Sequence, residues 1–289
     1  MLAMIKQRAR LVPGMHFLAV QRQKFALARL DPVRCNTAPL ATDIDRHKLK
    51  TIFSSQQMSE EWPDVKREIA TLGITDSAAG GVNPGDRRAV YYLVRYLRPQ
   101  SILEIGTHIG ASTVHAAAAL RASHSEGSTS PYRLTTVDII DVNDPRSRPW
   151  MEYGSTFSPR EMITKLGAAD HVTFVTARSL AYLSSSDIRY DFIFLDGDHS
   201  ATAVYQEIAA ALRVLNHGGV ILLHDYFPHL RPLWSGSPVI AGPWLGTERL
   251  RREGAEIEVL PLGSLPWETK RNSNVTSLAL LVGEREVSP

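Results

Sequence analysis

The sequence predicts a doubly wound α/β protein, and three observations carry that expectation. From residue 86 to about residue 223, short apolar runs alternate with segments of helical periodicity, the pattern of a parallel sheet with crossover helices. A turn bearing Gly106 and Gly110 joins the first run to a helix. Asp138, Asp196 and Asp225 follow three of the runs, at the carboxyl edge where open sheets of this class bind ligands.

The elements follow in order. Val90, Leu93, Val94 and Leu97 have helical spacing, with Asp86 as the expected cap and Pro99 beyond the end. A strand at 101–105 and a helix at 111–121 come next, then a strand at 133–137 and a helix near 159–166. A strand at 172–175 precedes a short helix around Leu180. The strand 191–195, the helix 201–215 and the strand 220–223 complete the alternation. The runs 256–260 and 277–282 read as two further strands. Their connector, 263–274, is too short and turn-rich for a crossover helix, so they are expected to form an antiparallel pair at a sheet edge.

Residues 1–85 read as a separate, mostly helical extension before a domain at 86–289, with a helix near 60–72. The extension is a candidate lid or an arm for homo-oligomerisation. The run Gly80-Gly81-Val82-Asn83-Pro84-Gly85 reads as a linker or a lid over a site. Lys6, Arg8, Arg10, Arg22, Lys24 and Arg29 precede the first acid, Asp31. Three readings fit them: a structural helix, a basic amphipathic arm, or an organellar presequence. Pro13, Gly14 and His16 interrupt the apolar core that a secretory signal needs.

Composition narrows the function. With 44% hydrophobic and 21% charged residues the chain is too apolar for global disorder, and a net charge of +2 lacks the basic excess of a nucleic-acid binder. No apolar run is long enough to span a bilayer. A single cysteine, Cys35, excludes an intramolecular disulfide and a multi-cysteine zinc site, and suits a reducing compartment, so a cytoplasmic location is expected.

Glycines in a strand-to-helix turn let the backbone approach a ligand and expose amides at the helix start. The dinucleotide fingerprint is absent, because His108 and Ala111 stand where it needs glycines. Asp138 ends the next strand, where an acid hydrogen-bonds ribose hydroxyls. A tight turn or a loop carboxylate would explain either feature alone; together they favour a nucleoside ligand. The run ending in Asp196, followed by Gly197, Asp198 and His199, and the run ending in His224 and Asp225 reach the same edge. Two carboxylates in one crevice repel unless a cation or a shared proton compensates. Asp196 and Asp225 suit Mg²⁺, whereas a His224 ligand shifts preference toward Mn²⁺ and later transition metals.

These residues, quoted as Glu104-x-Gly106-x-x-x-Gly110, Asp138, Phe192-Ile-Phe-Leu-Asp196-Gly-Asp198-His199 and Gly218-Gly219-Val-Ile-Leu-Leu-His224-Asp225, resemble class I S-adenosylmethionine-dependent methyltransferases. More narrowly they resemble the metal-dependent O-methyltransferases of the catechol type and of the macrolide and aminocoumarin sugar type. The resemblance spans residues 86–283 and implies a Rossmann-like seven-stranded sheet in the order 3-2-1-4-5-7-6, the last strand antiparallel. It implies that Gly106 and Gly110 line the methionine part of S-adenosyl-L-methionine, with Ser112 on its carboxylate, and that Glu104 and Thr107 also belong to the cofactor-binding residues. Asp138 would take the ribose, Arg178 or Ser179 would flank the adenine, and Asp196 would touch both cofactor and metal. Asp196, His224 and Asp225 become the metal ligands; relatives carry a second carboxylate or an Asn beside the equivalent of Asp225, where this chain has His224 before it and Tyr226 after it. His199 is the preferred base for the acceptor hydroxyl, because its ordinary pKa lies near neutrality; Asp198 competes with it.

The implied partner is a small-molecule hydroxyl acceptor: a sugar, a phenol or a natural product. Two segments could wall its pocket, 139–157 with Trp150, Tyr153 and Phe157, and 226–246 with Trp234 and Trp244. The alternatives are a non-methylating, hydroxylase-like relative and a cofactor-binding scaffold with a decayed site; the intact Glu104, Gly106, Gly110, Asp138, Asp196 and Asp225 argue against decay.

Overall fold

One seven-stranded sheet organises the chain: β1 (Ser101–Ile105), β2 (Arg133–Asp138), β3 (Val172–Thr176), β4 (Tyr190–Leu195), β5 (Leu215–Leu223), β6 (Ile257–Pro261) and β7 (Ala279–Gly283). The computed structural model describes residues 13–74, 81–125 and 131–284. Lys6, Arg8, Arg10, Gly80 and residues 126–130 of the Ser-rich loop lie outside the described residues. The strand order is β3-β2-β1-β4-β5-β7-β6, as the resemblance implied. β1 to β5 pair in parallel, and β7 runs antiparallel to both β5 and β6. The expected antiparallel pair at a sheet edge is β6 with β7, β6 outermost and β7 between it and β5.

Helices cover both faces: α1 (Pro13–Ala28), α2 (Arg46–Phe53), α3 (Gln56–Ala70), α4 (Pro84–Leu97), α5 (Ala111–Ser125), α6 (Pro159–Lys165), α7 (Ser179–Ser185), α8 (Ala201–Arg213) and α9 (Gly242–Arg252). The strands divide their side chains between two cores with a period of two. Ile102, Phe192, Phe194, Val220 and Leu222 pack with α2 to α5. Leu103, Ile105, Ile193, Leu195, Ile221 and Leu223 pack with α1, α8 and α9.

Two helix starts, those of α4 and α3, differ from the sequence reading and α8 starts at Ala201 as expected, each for a capping reason. Asn83 rather than Asp86 caps α4: its side-chain oxygen accepts from the Asp86 amide at 3.0 Å, and Pro84 opens the first turn. Asp86 is thereby carried into the fully buried first turn. Ser200 caps α8, so Asp198 and His199 lie on the loop before it, with Asp198 Oδ1 accepting from the Ser200 amide at 2.8 Å. α3 begins at Gln56, behind the Ser55 cap, four residues before the expected Glu60.

The division at residue 85 does not mark a break in packing. Ile44, Leu49, Ile52, Phe53 and Met58 belong to the same buried cluster as α4 and the sheet. The backbone at 39–41 also joins the sheet: Ala41 donates to the Gly219 carbonyl at 2.8 Å, and Gly283 donates to the Ala41 carbonyl at 3.0 Å. The Arg249 guanidinium donates to the carbonyls of Leu27 and Leu30, which tethers the carboxyl end of α1 to α9. The described part of the extension is therefore structural.

The end of β1 is fixed from behind. Glu104 is buried and accepts from the hydroxyls of Thr113, at the start of α5, and Thr136, on β2. Thr107 and Thr136 share a further hydroxyl contact at 2.6 Å. Burial pushes the Glu104 carboxyl up to about 7 from its ordinary 4.5, although the hydroxyls of Ser112, Thr113 and Thr136 oppose the shift. The folded chain thus keeps a proton that the unfolded chain releases above about pH 4.5. The contribution of this group is full below that value and lost as pH rises through 7, by up to about 3 kcal/mol. Glu104→Gln should therefore flatten the decline of unfolding free energy between pH 5 and pH 8, measured by denaturant titration; an unchanged slope would show that Glu104 is not its source.

Candidate active site

The loop after β1 owes its shape to Gly106. Its φ is +100°, and a Cβ added there would lie 2.3 Å from the Asp196 carbonyl oxygen, closer than any side chain tolerates. The loop therefore lies directly against the end of β4. His108 also has a left-handed backbone, φ 50°. In that conformation its amide donates to Asp138 Oδ2 at 2.9 Å, while the Ile140 amide donates to Oδ1 at 3.2 Å. Asp138 is held in place and keeps acceptor capacity on both oxygens.

A cavity of about 660 Å³ starts at Gly106 and His108, passes Asp138 and Ile139, and reaches Arg178, Ser179 and Glu207. Asp196, Gly197 and Asp198 line its other side. Ser179 donates to Glu207, whose carboxyl burial pushes up to about 7. The structure thus brings Gly106, Asp138, Arg178, Ser179, Asp196 and Asp198 to one space. Glu104, Thr107, Gly110 and Ser112 do not line it. The first two and Ser112 belong to the buried network behind the loop, and a Cβ on Gly110 (φ +74°) would meet Pro159 at 2.8 Å. Their position is one of support.

At the ends of β4 and β5 the acids and histidines converge. His224 Nδ1 lies 2.8 Å from Asp196 Oδ1, and His199 Nε2 lies 3.5 Å from Asp196 Oδ1 and 3.6 Å from Asp225 Oδ2. Asp196, His199 and His224 each offer a donor atom within 4.8 Å of the others. Asp225 adopts a left-handed backbone, φ 54°, and its Oδ1 accepts from Ser277 at 3.2 Å on the β7 side. His199 thus joins the expected Asp196, His224 and Asp225, the last with its Oδ1 3.7 Å from His224 Nδ1.

Sequence reasoning missed Asp86. It is fully buried at the first turn of α4, its Oδ2 lies 3.7 Å from His224 Nε2, and its Oδ1 has no hydrogen-bond partner. His224 consequently faces a carboxylate on each side of its ring. Burial disfavours its charged form, yet the carboxylates of Asp196 and Asp225 outweigh that and hold it well above the ordinary histidine range. For Asp225, burial acts upward, but His224 and His199 together hold it below the ordinary value. The Lys270 ammonium lies 3.3 Å from the centre of the Trp234 ring, and burial lowers its pKa against the pull of Asp86 and Asp225.

A second cavity, about 430 Å³, opens on the other side of the Gly197–Ser200 segment. α1 contributes Ala19, Val20 and Gln23 to it, and the loop before α9 contributes Val239, Ile240 and Ala241. His199 and Asp198 complete the wall. None of Trp150, Tyr153, Phe157, Trp234 and Trp244 lines either cavity. They pack instead: Tyr153 against His108, Trp234 against Phe227, and Trp244 against Tyr226 and His229. The aromatic walls expected from the sequence are therefore packing elements of their loops. Among the described residues, no helix is long and apolar enough to cross a membrane.

Known proteins match this arrangement. Residues 103–226 match the family described as a methyltransferase domain. The O-methyltransferase TomG of Streptomyces achromogenes, involved in tomaymycin synthesis and solved in complex with SAM, is 17% identical. That likeness covers 84% of this chain and 96% of TomG, with a TM-score of 0.50. An O-methyltransferase from Bacillus cereus, solved in complex with SAH, is 19% identical over 84% of this chain and 98% of its own, also with a TM-score of 0.50. At these identities the likeness is one of fold. Taken with the strand order, the match gives residues 103–226 the character of a methyltransferase domain, set in a fold shared with these two proteins.

Proposed function

We propose that the protein transfers the cofactor's methyl group to a hydroxyl oxygen of a small molecule, with a divalent cation at the carboxylate–histidine cluster. The observation that carries this reading is the position of Asp198, the one titratable residue that lines both cavities. In this reading S-adenosylmethionine occupies the larger cavity. Asp138, steadied by two backbone amides, accepts from the ribose hydroxyls, and Arg178 and Ser179 flank the adenine. The methionine end would lie along the wall that Gly106 and Asp196 share.

The donor set of the cluster fits a cation: one carboxylate and two imidazoles, with the unpartnered oxygen of Asp86 behind His224. Two nitrogen donors favour Mn²⁺, Fe²⁺, Co²⁺, Ni²⁺ or Zn²⁺ over Mg²⁺. Such an ion lowers the pKa of a hydroxyl bound to it. Asp196, His199 and His224 would hold it, with Asp225 next in reach. That role occupies His199 Nε2, so Asp198 rather than His199 takes the acceptor proton. The oxygen forms its bond to the methyl carbon as the carbon–sulfur bond breaks, and the proton passes to Asp198. The sulfonium needs no acid, so the chain's main contribution is alignment.

Two predictions follow from this assignment. Asp138→Ala should weaken S-adenosylhomocysteine binding at least tenfold, about 1.4 kcal/mol by calorimetry, with the fold retained. A parent protein that binds no S-adenosylhomocysteine would remove the basis of the proposal. Asp198→Asn should cut methyl transfer by roughly 10²–10⁴ while leaving Mn²⁺ affinity unchanged, whereas His199→Gln should lose Mn²⁺ affinity in a calorimetric titration. If His199→Gln keeps its Mn²⁺ affinity and loses turnover, the base is His199.

A further inference from the structure

The smaller cavity is the feature that the sequence did not foreshadow, since three of its lining residues come from α1 and three from the loop before α9, all outside the matched domain. Resting on the methyl-transfer reading above, we infer that it is the acceptor subsite, and that it takes an uncharged, predominantly apolar hydroxyl compound rather than a phosphorylated or thioester-conjugated one. Three observations carry the inference.

The first is location. The cavity and the cofactor-sized cavity share Gly197, Asp198 and Ser200, so molecules seated in the two meet across that short segment. His199 also lines it, which places the cluster at one end. The second is chemistry. Ala19 and Val20 from α1 face Val239, Ile240 and Ala241 from the loop before α9, giving apolar walls with the polar groups gathered near Asp198. Among the described residues, no Lys or Arg lines it, and recognition of phosphate calls for such groups. Nor, among them, does any Phe, Tyr or Trp line it. A volume of about 430 Å³ suits a compact small molecule.

The third observation is that the wall is built in. Gln23 Oε1 accepts from the Ala201 amide at 2.9 Å, which ties α1 to the first residue of α8. Arg249 holds the carbonyls at the end of α1. Gly242 closes the opposite side, because a Cβ there would fall 1.9 Å from the His199 carbonyl oxygen. Both walls are thus fixed to the segment that carries Asp198 and His199. An acceptor in this space would present its hydroxyl to the polar end and leave its apolar body between α1 and the 239–241 strip.

The test uses the full chain saturated with S-adenosylhomocysteine, and 2-naphthol as the probe. Parent protein should bind 2-naphthol, and bind 2-naphthyl phosphate at least tenfold more weakly. Ala19→Trp fills the cavity from an exposed helix position and should lower 2-naphthol affinity at least tenfold, with S-adenosylhomocysteine affinity and melting temperature unchanged. Ile240→Trp, from the opposite wall, should do the same. Equal or tighter binding of the phosphate overturns the inference on chemistry. Undiminished 2-naphthol binding in both variants, or no binding by the parent, overturns it on location. Loss of S-adenosylhomocysteine binding by the parent would instead count against the methyl-transfer reading, so the two failures are distinct.

Discussion

The close approach of the Gly106 backbone to the Asp196 carbonyl determines how the ends of β1 and β4 meet. With any side chain at 106 the loop would have to lift away from the sheet edge, and His108 would no longer present its amide to Asp138. The Glu104 network braces this contact from the buried side by joining β1, β2 and the start of α5. The β1 loop is thus held in front by a steric fit and behind by hydrogen bonds. The left-handed His108 follows from that constraint.

Charge is concentrated on the other half of the site. Asp86, Asp196 and Asp225 approach one another from α4, β4 and β5, an arrangement that needs compensation in a poorly solvated space. His224 supplies part of it from between two carboxylates, and Lys270 supplies more from the connector between β6 and β7. The cluster therefore draws on four regions of the chain, and its geometry depends on the whole sheet edge being assembled.

Much of this was legible in the sequence because parallel strands have a strong local signature. The apolar runs, the turn glycines and the acids at strand ends gave the sheet and the positions of Asp138, Asp196, His224 and Asp225. What escaped depends on tertiary contact. Asp86 looked like a helix cap, since nothing local distinguishes an exposed first-turn acid from one pressed under His224. Gly110 reads like Gly106 in sequence, yet it answers to Pro159 rather than to the cavity. Trp234 and Trp244 suggested a substrate wall because aromatics in loops suit binding and packing equally. The contribution of α1 was invisible, because Ala19, Val20 and Gln23 carry no motif and acquire meaning only through docking on α8 and α9.

The position of β7 has a consequence for how the chain reaches this state. The last strand in sequence pairs between β5 and β6, and the backbone at 39–41 bonds both to Gly219 and to Gly283. The bond between Gly283 and Ala41 joins residues 242 positions apart and that between Ala41 and Gly219 residues 178 apart, and such long-range contacts form slowly. During synthesis β5 and β6 must wait, with unpaired edges, until residues 279–283 have been made. The nascent chain then carries an open β5 edge over the whole stretch from Leu223 to Ala279, the state in which intermediates are most prone to pair with one another.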